Sequence, residues 1–146
     1  MVAGDGRMRE ITLTYEVRAD DFVRAGEASG AIKKTLKDLG FRPDLIRRIA
    51  VAAYEAEINM VIHADGGIIT ATITPQSVHI EFADRGPGIP DISLAMQEGW
   101  STATEDVNSM GFGAGMGLPN IYKNVDGFDL KTQIGVGTTL KISVNT

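Results

Sequence analysis

The chain contains no cysteine. That excludes disulfides, thiolate metal sites and cysteine nucleophiles, and it suits a reducing compartment. No apolar run approaches the roughly 18 residues that a bilayer span requires. The first residues, Met-Val-Ala-Gly-Asp-Gly-Arg, hold no apolar segment of a signal peptide. The expected location is the cytoplasm, with no membrane partner. Basic residues are outnumbered: 14 Lys and Arg stand against 19 Asp and Glu, for a net charge of −5. Such a balance argues against direct binding of nucleic acid. Also missing is any Gly-Lys-Ser or Gly-Lys-Thr, which excludes a P-loop. Internal repeats, low-complexity segments and linkers are absent too.

What is present is ordinary for one globular domain. The 146 residues are 43% hydrophobic and 23% charged, enough to bury a proper core. Residues 1–146 are read as a single domain. The glycines carry more information, because their placement is regular. Met110 to Leu118 reads Met-Gly-Phe-Gly-Ala-Gly-Met-Gly-Leu, with Gly111, Gly113, Gly115 and Gly117 at every second position. A run of backbone N–H groups without side chains makes a concave nest for anions. Leu118 to Val125 reads as a short helix, so the loop runs into a helix N-terminus, a phosphate cradle. A dinucleotide fingerprint is excluded, because the third glycine comes one place early and Ser101 to Ser109 is too polar for the strand that must precede it. The loop belongs to another kind of nucleotide site.

Along the chain, Arg9 to Arg18 alternates as a half-buried strand. Asp20 is the expected N-cap of a helix over Asp21 to Leu39, closed by Gly40. A second helix is expected over Asp44 to Ala64, with Pro43 near its first turn. This helix is apolar nearly all round, which indicates burial. Yet Glu55, Asn59 and His63 fall at i, i+4 and i+8 on one face. A polar line on a buried helix faces a cleft or is paired, because an unpaired buried carboxylate is costly. A solvated stripe at the helix edge is the weaker alternative. Glu57 lies about 200° round the helix from that line and reads as structural.

Gly66-Gly67 makes a turn. Ile68 to Thr74 and Val78 to Ala83 then form a hairpin about Pro75-Gln76. It ends in Asp84-Arg-Gly-Pro-Gly-Ile-Pro90, where a carboxylate and a bare backbone at Gly86 and Gly88 can meet a flat ligand. Asp91 can cap a short helix to about Glu98. Gly99 to Ser109 is polar and aperiodic, a candidate lid in which Trp100 serves as a packing anchor. Gly127 to Gln133 and Thr138 to Val144 close the chain as a hairpin about Ile134-Gly-Val-Gly137.

These stretches, in this order, resemble the GHKL ATPases, the superfamily of gyrase, heat-shock chaperones, histidine kinases and mismatch-repair ATPases. Glu55-Ala-Glu-Ile-Asn59 looks like their N box. Asp84-Arg-Gly86-Pro-Gly88 looks like the first glycine box, Gly111 to Gly117 like the second, and Gly135-Val-Gly137-Thr138 like the last. The resemblance spans roughly residues 9 to 144. Within the superfamily, the chain is most similar to the small bacterial serine kinases of partner-switching systems, the anti-sigma-factor kinases and stressosome switch kinases. Asp84-Arg-Gly-Pro-Gly-Ile-Pro-Asp-Ile92, Gly99-Trp-Ser-Thr102, Gly117-Leu-Pro-Asn and Val125-Asp-Gly-Phe-Asp-Leu130 carry that likeness. The second box departs from the pattern in being longer.

The resemblance implies an α/β fold, a two-layer α/β sandwich of the Bergerat type. Helices would cover one face of a mixed, mainly antiparallel sheet, with ATP between helix and lid. It implies ATP and Mg²⁺ as cofactors. Asn59 would hold Mg²⁺ through its side-chain oxygen, and Glu55 would be the general base. Asp84 would accept a hydrogen bond from the adenine amino group, Gly88 would leave room for the ring, and Gly86 would count among the ATP-binding residues. Gly113, Gly115 and Gly117 would donate backbone N–H to phosphate, Gly111 and Leu118 would count among the ATP-binding residues, and Thr138 would help hold adenine. His63 reads as a helix-end polar residue and Arg85 as a solvated surface charge. The implied function is phosphorylation of a serine on an anti-sigma-factor antagonist of the STAS type, which controls release of a sigma factor or a phosphatase. The kinase would act as a monomer or a homodimer. The alternative is a nucleotide-dependent anti-sigma binding module without catalysis, which would not need Glu55. A detached histidine-kinase catalytic domain is disfavoured, because the chain shows no phosphoacceptor hairpin.

Overall fold

In Ile11–Val17, the alternation of apolar and polar residues turns Ile11, Leu13, Tyr15 and Val17 toward the core, while Thr12, Thr14 and Glu16 face solvent. That is the two-residue period of a strand with one wet face, and this segment is β1. The computed structural model describes residues 10–19, 21, 23–89, 96 and 117–146. After β1 come α1 (Glu27–Asp38), α2 (Pro43–His63), β2 (Gly67–Ile73), β3 (Ser77–Asp84), α3 (Gly117–Asn124), β4 (Gly127–Gln133) and β5 (Gly137–Asn145).

The strands form one five-stranded sheet in the order β1-β2-β3-β5-β4, antiparallel at every pairing. The expected mixed sheet therefore has no parallel ladder among the described residues. The reason is topological. β3 and β4 run parallel, but β5 folds back between them and pairs with both. Inward residues of four strands, among them Val17, Ile69, Ile80, Phe82, Leu140 and Ile142, join Ile32, Leu36, Leu45, Ile49 and Ile121 of the helices in one core. The opposite face carries Thr12, Thr14, His79, Lys141 and Asn145. This is the two-layer α/β sandwich, with helices on one face of the sheet. No helix among the described residues is long and apolar enough to cross a membrane.

α2 is the central helix of its layer and packs on both α1 and α3. Ala52, Ala53 and Ala56 on α2 are all buried, at 0%, 0% and 3% exposure, and their small side chains let the neighbouring elements approach closely. Each large aliphatic residue fully buried around them contributes about 1.5–3 kcal/mol.

α1 begins later than its sequence suggests. Asp20, the expected N-cap, lies outside the described residues. Asp21 closes a local turn, its carboxylate accepting the Arg24 N–H at 3.3 Å. The helix starts at Glu27 behind Gly26, whose φ of 94° is left-handed and which offers no capping side chain. The cap comes from α2. Glu57, 2% exposed, accepts the Gly26 and Ala28 N–H groups on Oε2 at 3.1 and 3.2 Å, and the Ser29 N–H on Oε1 at 2.8 Å. A carboxylate at a helix N-terminus satisfies orphan donors and faces the positive end of the dipole. The structural role expected of Glu57 is thus a specific one. At the other end, Gly40 donates to Lys37 and Phe41 to Leu36, the paired bonds of a Schellman closure.

Candidate functional site

The site is assembled at one end of the sheet, where β3 stops and α2 ends. Asp84 is the last residue of β3 and is half-buried. Ala83 pairs with Thr139, which brings Asp84 beside Thr138 of β5. Thr138 in turn pairs with Thr132 of β4. Asp84, Thr138 and Thr132 therefore form a polar row on the inward face, in line with apolar rows further along the strands. The Thr138 N–H donates to Asp84 Oδ1 at 2.9 Å, which leaves the second carboxylate oxygen as an acceptor. Burial pushes the Asp84 carboxyl above the usual carboxylate range, against the Thr138 bond that draws it down.

The loop after Asp84 is tied to its neighbours. Arg85 N–H donates to Gly66 O at 2.9 Å, and Asp65 N–H to Arg85 O. The Arg85 side chain is exposed, as expected. Gly135 N–H donates to Pro87 O at 2.9 Å, and Ile89 N–H to Thr132 Oγ1 at 2.8 Å. Gly86 rides on the end of α2, where an added Cβ would lie 2.9 Å from Ala64 Cα. Gly88 has φ +81°, and an added Cβ would lie 2.8 Å from Gln133 O. Both glycines are thus needed first for contact between protein backbones.

The other wall is α2 against α3. An added Cβ on Gly117, the first residue of α3, would lie 3.0 Å from Asn59 Oδ1 and 3.1 Å from Nδ2. The end of the glycine-rich stretch therefore abuts the Asn59 amide. Leu118 packs beside it against the core. Glu55 stands one turn before Asn59 on the same face, and both are partly exposed, as a cleft-lining pair must be. The far end of α3 is anchored. Arg48 of α2 donates to Asn124 O through Nε and to Asp126 Oδ1 through Nη2, both at 3.0 Å. Asp126 Oδ2 accepts the Asn145 N–H at 2.7 Å. That bond, with Arg48, holds the Asp126 carboxyl below the usual range.

Asn59 Oδ1 is a neutral hard oxygen of the kind that suits Mg²⁺. No group of three or more acidic or histidine side chains gathers among the described residues. A cation beside Asn59 would thus take its remaining ligands from phosphate and water, as Mg²⁺ commonly does. For a purine, Asp84 supplies an acceptor beside the bare backbone of the Gly86–Gly88 loop.

Of the residues expected at the site, Asp84, Gly86, Gly88 and Thr138 gather at the end of β3, while Glu55 and Asn59 lie on α2 with Gly117 and Leu118 at the start of α3 beside Asn59. Gly111, Gly113 and Gly115 lie outside the described residues, as do the expected helix from Asp91, the lid over 99–109 and Trp100. The His63 side chain lies outside them too. Thr132 and Arg48 were not anticipated. Thr132 had a signal, since it follows Phe128 and Leu130 at the two-residue period and is a polar residue at an inward position. Arg48 had none, because its partners lie 76 and 78 positions away.

The chain matches the family described as the histidine kinase-like ATPase domain over residues 19–144. It is 33% identical over 113 residues to the serine/threonine-protein kinase RsbT of Bacillus subtilis (strain 168), covering 75% of this chain and 79% of that protein. It is 34% identical over 103 residues to the anti-sigma F factor of Caldanaerobacter subterraneus subsp. tengcongensis, covering 67% of this chain and 68% of the relative. The anti-sigma F factor of Thermoanaerobacter sp. (strain X514) gives the same identity and coverage.

Proposed function

The chain belongs to the histidine kinase-like ATPase family, and from that premise we propose that it is an ATP-dependent serine protein kinase of a partner-switching system. The observation that carries this reading is the meeting of Asn59 with the start of α3, one helical turn from Glu55. It supports the reading of Asn59 as a cation ligand and Glu55 as a base, one turn apart on α2 and beside the end of the candidate phosphate loop. The names of the relatives, a serine/threonine-protein kinase and anti-sigma F factors, support the same reading.

In this reading Asp84 accepts the adenine amino group through the oxygen that Thr138 N–H leaves free. Gly88 and Thr138 line the base, and the glycines from Gly111 to Gly117, with Leu118, line the phosphates. Asn59 Oδ1 holds Mg²⁺, which when bound offsets phosphate charge. Glu55 accepts the proton of the attacking serine hydroxyl. Positioning and charge neutralisation do most of the work in phosphoryl transfer, so the rigid setting of Asn59 and Glu55 on a buried helix is the protein's main contribution.

The acceptor is a serine on a STAS-type antagonist in the cytoplasm, which reaches Glu55 from outside the cleft. Phosphorylation adds roughly −1.5 to −2 charges at that interface, against a chain of net charge −5. Repulsion and desolvation then release the product, and a sigma factor or phosphatase changes hands. The test is to mix the chain with Mg·ATP and the antagonist encoded nearest to it, and to follow mass and complex together. A serine-phosphorylated antagonist that leaves the complex is the expected result. ATP binding without any phosphorylation would favour a non-catalytic anti-sigma module.

A further inference from the structure

Thr132 sits where three strands and the loop after Asp84 converge. Its hydroxyl has three polar neighbours. It accepts the Ile89 N–H at 2.8 Å. It lies 3.0 Å from Thr138 Oγ1 and 3.4 Å from Gly137 O. A threonine hydroxyl has one proton to donate. The shorter and better contact for that proton is Thr138 Oγ1, since hydrogen bonds between oxygens favour about 2.7–2.8 Å and weaken beyond. If Thr132 donates there, Thr138 Oγ1 is the acceptor, and its own proton is left for the space beside Asp84.

We infer that Thr132 is a positioning residue that makes Thr138 a donor and thereby sets the choice of base. The inference rests on the nucleotide reading above. Asp84 offers an acceptor and Thr138 a donor, side by side in the row Asp84–Thr138–Thr132. The Watson–Crick edge of adenine presents an amino donor at C6 next to a bare ring nitrogen at N1. Hypoxanthine and guanine reverse both, with a carbonyl at C6 and an N–H at N1. An acceptor–donor pair fits the first edge and opposes the second. Asp84 alone discriminates only at C6. The Thr132 relay adds discrimination at N1, whether Thr138 reaches the ring directly or through one water. Thr132 also fixes Ile89, so it ties the loop that carries Gly88 to the same hydroxyl.

The experiment is calorimetric binding of ATP and ITP to the full chain, wild type and three variants, followed by steady-state phosphorylation of the antagonist. ITP differs from ATP only at C6 and N1. The wild type should favour ATP. Thr132→Val keeps the shape and removes the hydroxyl, and should lower the ATP:ITP affinity ratio by about tenfold, one hydrogen bond's worth. Thr132→Ser keeps the hydroxyl and should restore the ratio. Because Glu55 and Asn59 are untouched, the loss should fall on KM for ATP, with kcat changed by no more than about twofold. Thr132→Ala repeats the test should the valine variant fail to fold. A ratio unchanged in the valine or alanine variant, with ATP still bound, would overturn this inference alone. So would a serine variant as impaired as valine, since packing and not the hydroxyl would then be the cause. A wild-type chain that binds neither nucleotide would overturn the nucleotide reading and this inference with it.

Discussion

Removing the Glu57 carboxylate should destabilise the fold more than any exposed substitution. Glu57 is 2% exposed and takes three backbone N–H groups at the start of α1, those of Gly26, Ala28 and Ser29. In Glu57→Ala these donors lose their only side-chain acceptor. Two of the bonds are buried and one is partly buried. Orphaning a buried donor costs about 1–3 kcal/mol, and water entering the space left by the side chain recovers part of it. A net loss of about 3 kcal/mol follows. For a domain of this size that corresponds to a fall in Tm of about 6–12 °C. Urea unfolding should show a lower midpoint with an unchanged slope. Glu57→Gln keeps one acceptor oxygen but turns an amide NH₂ toward an N–H, so its loss should be intermediate. Hydrogen exchange should quicken at Ala28 and Ser29, with little change at the Schellman closure of α1. An alanine variant within about 0.5 kcal/mol of wild type, the range of a neutral surface change, would refute the capping role.

Asp84 makes a contrasting prediction, because its burial disfavours the charged carboxylate. Its folded pKa is raised, so its charged form burdens the fold: its contribution to stability is greatest below the unfolded pKa and declines as pH rises through the folded value. Asp84→Asn should therefore stabilise the apo chain slightly at neutral pH in a thermal melt, while weakening ATP binding by about 1.5–3 kcal/mol in calorimetry. ATP affinity of the wild type should also fall as pH is lowered toward the raised Asp84 pKa, and the asparagine variant should lack that dependence. Gly88→Ala places a side chain at φ +81° and 2.8 Å from Gln133 O, and should cost about 1–3 kcal/mol in urea unfolding. Gly117→Ala presses on the Asn59 amide, with Oδ1 3.0 Å from the added Cβ, so it should weaken Mg·ATP binding while leaving the melting curve near that of wild type.

The strands were legible because alternation is a local signal. β4 spans Gly127–Gln133 in both sequence pattern and structure. The burial of α2 was legible from its apolar circumference, and the structural role of Glu57 from its angular separation from the line of Glu55 and Asn59. The start of α1 was not legible, because its cap is supplied from 31 positions away, and the expected local cap, Asp20, lies outside the described residues. The interposition of β5 between β3 and β4 was hidden for a similar reason, since pairing across the sheet leaves no mark in either strand's own period. At the site, Asp84 and Asn59 stood out as polar residues in apolar surroundings. The packing of Gly86 on Ala64 and of Gly88 on Gln133 left no mark in the local sequence, because those neighbours come from the end of α2 and from β4.

In the proposed function, α2 carries a catalytic base beside a metal-binding amide. Single-turnover transfer from Mg·ATP to the antagonist, measured with calorimetry of ATP binding in wild type and Glu55→Gln, tests it most directly. ATP affinity should stay within about twofold of wild type while transfer slows by about 10²–10⁴, the share of a general base. Transfer at the wild-type rate in Glu55→Gln would contradict it.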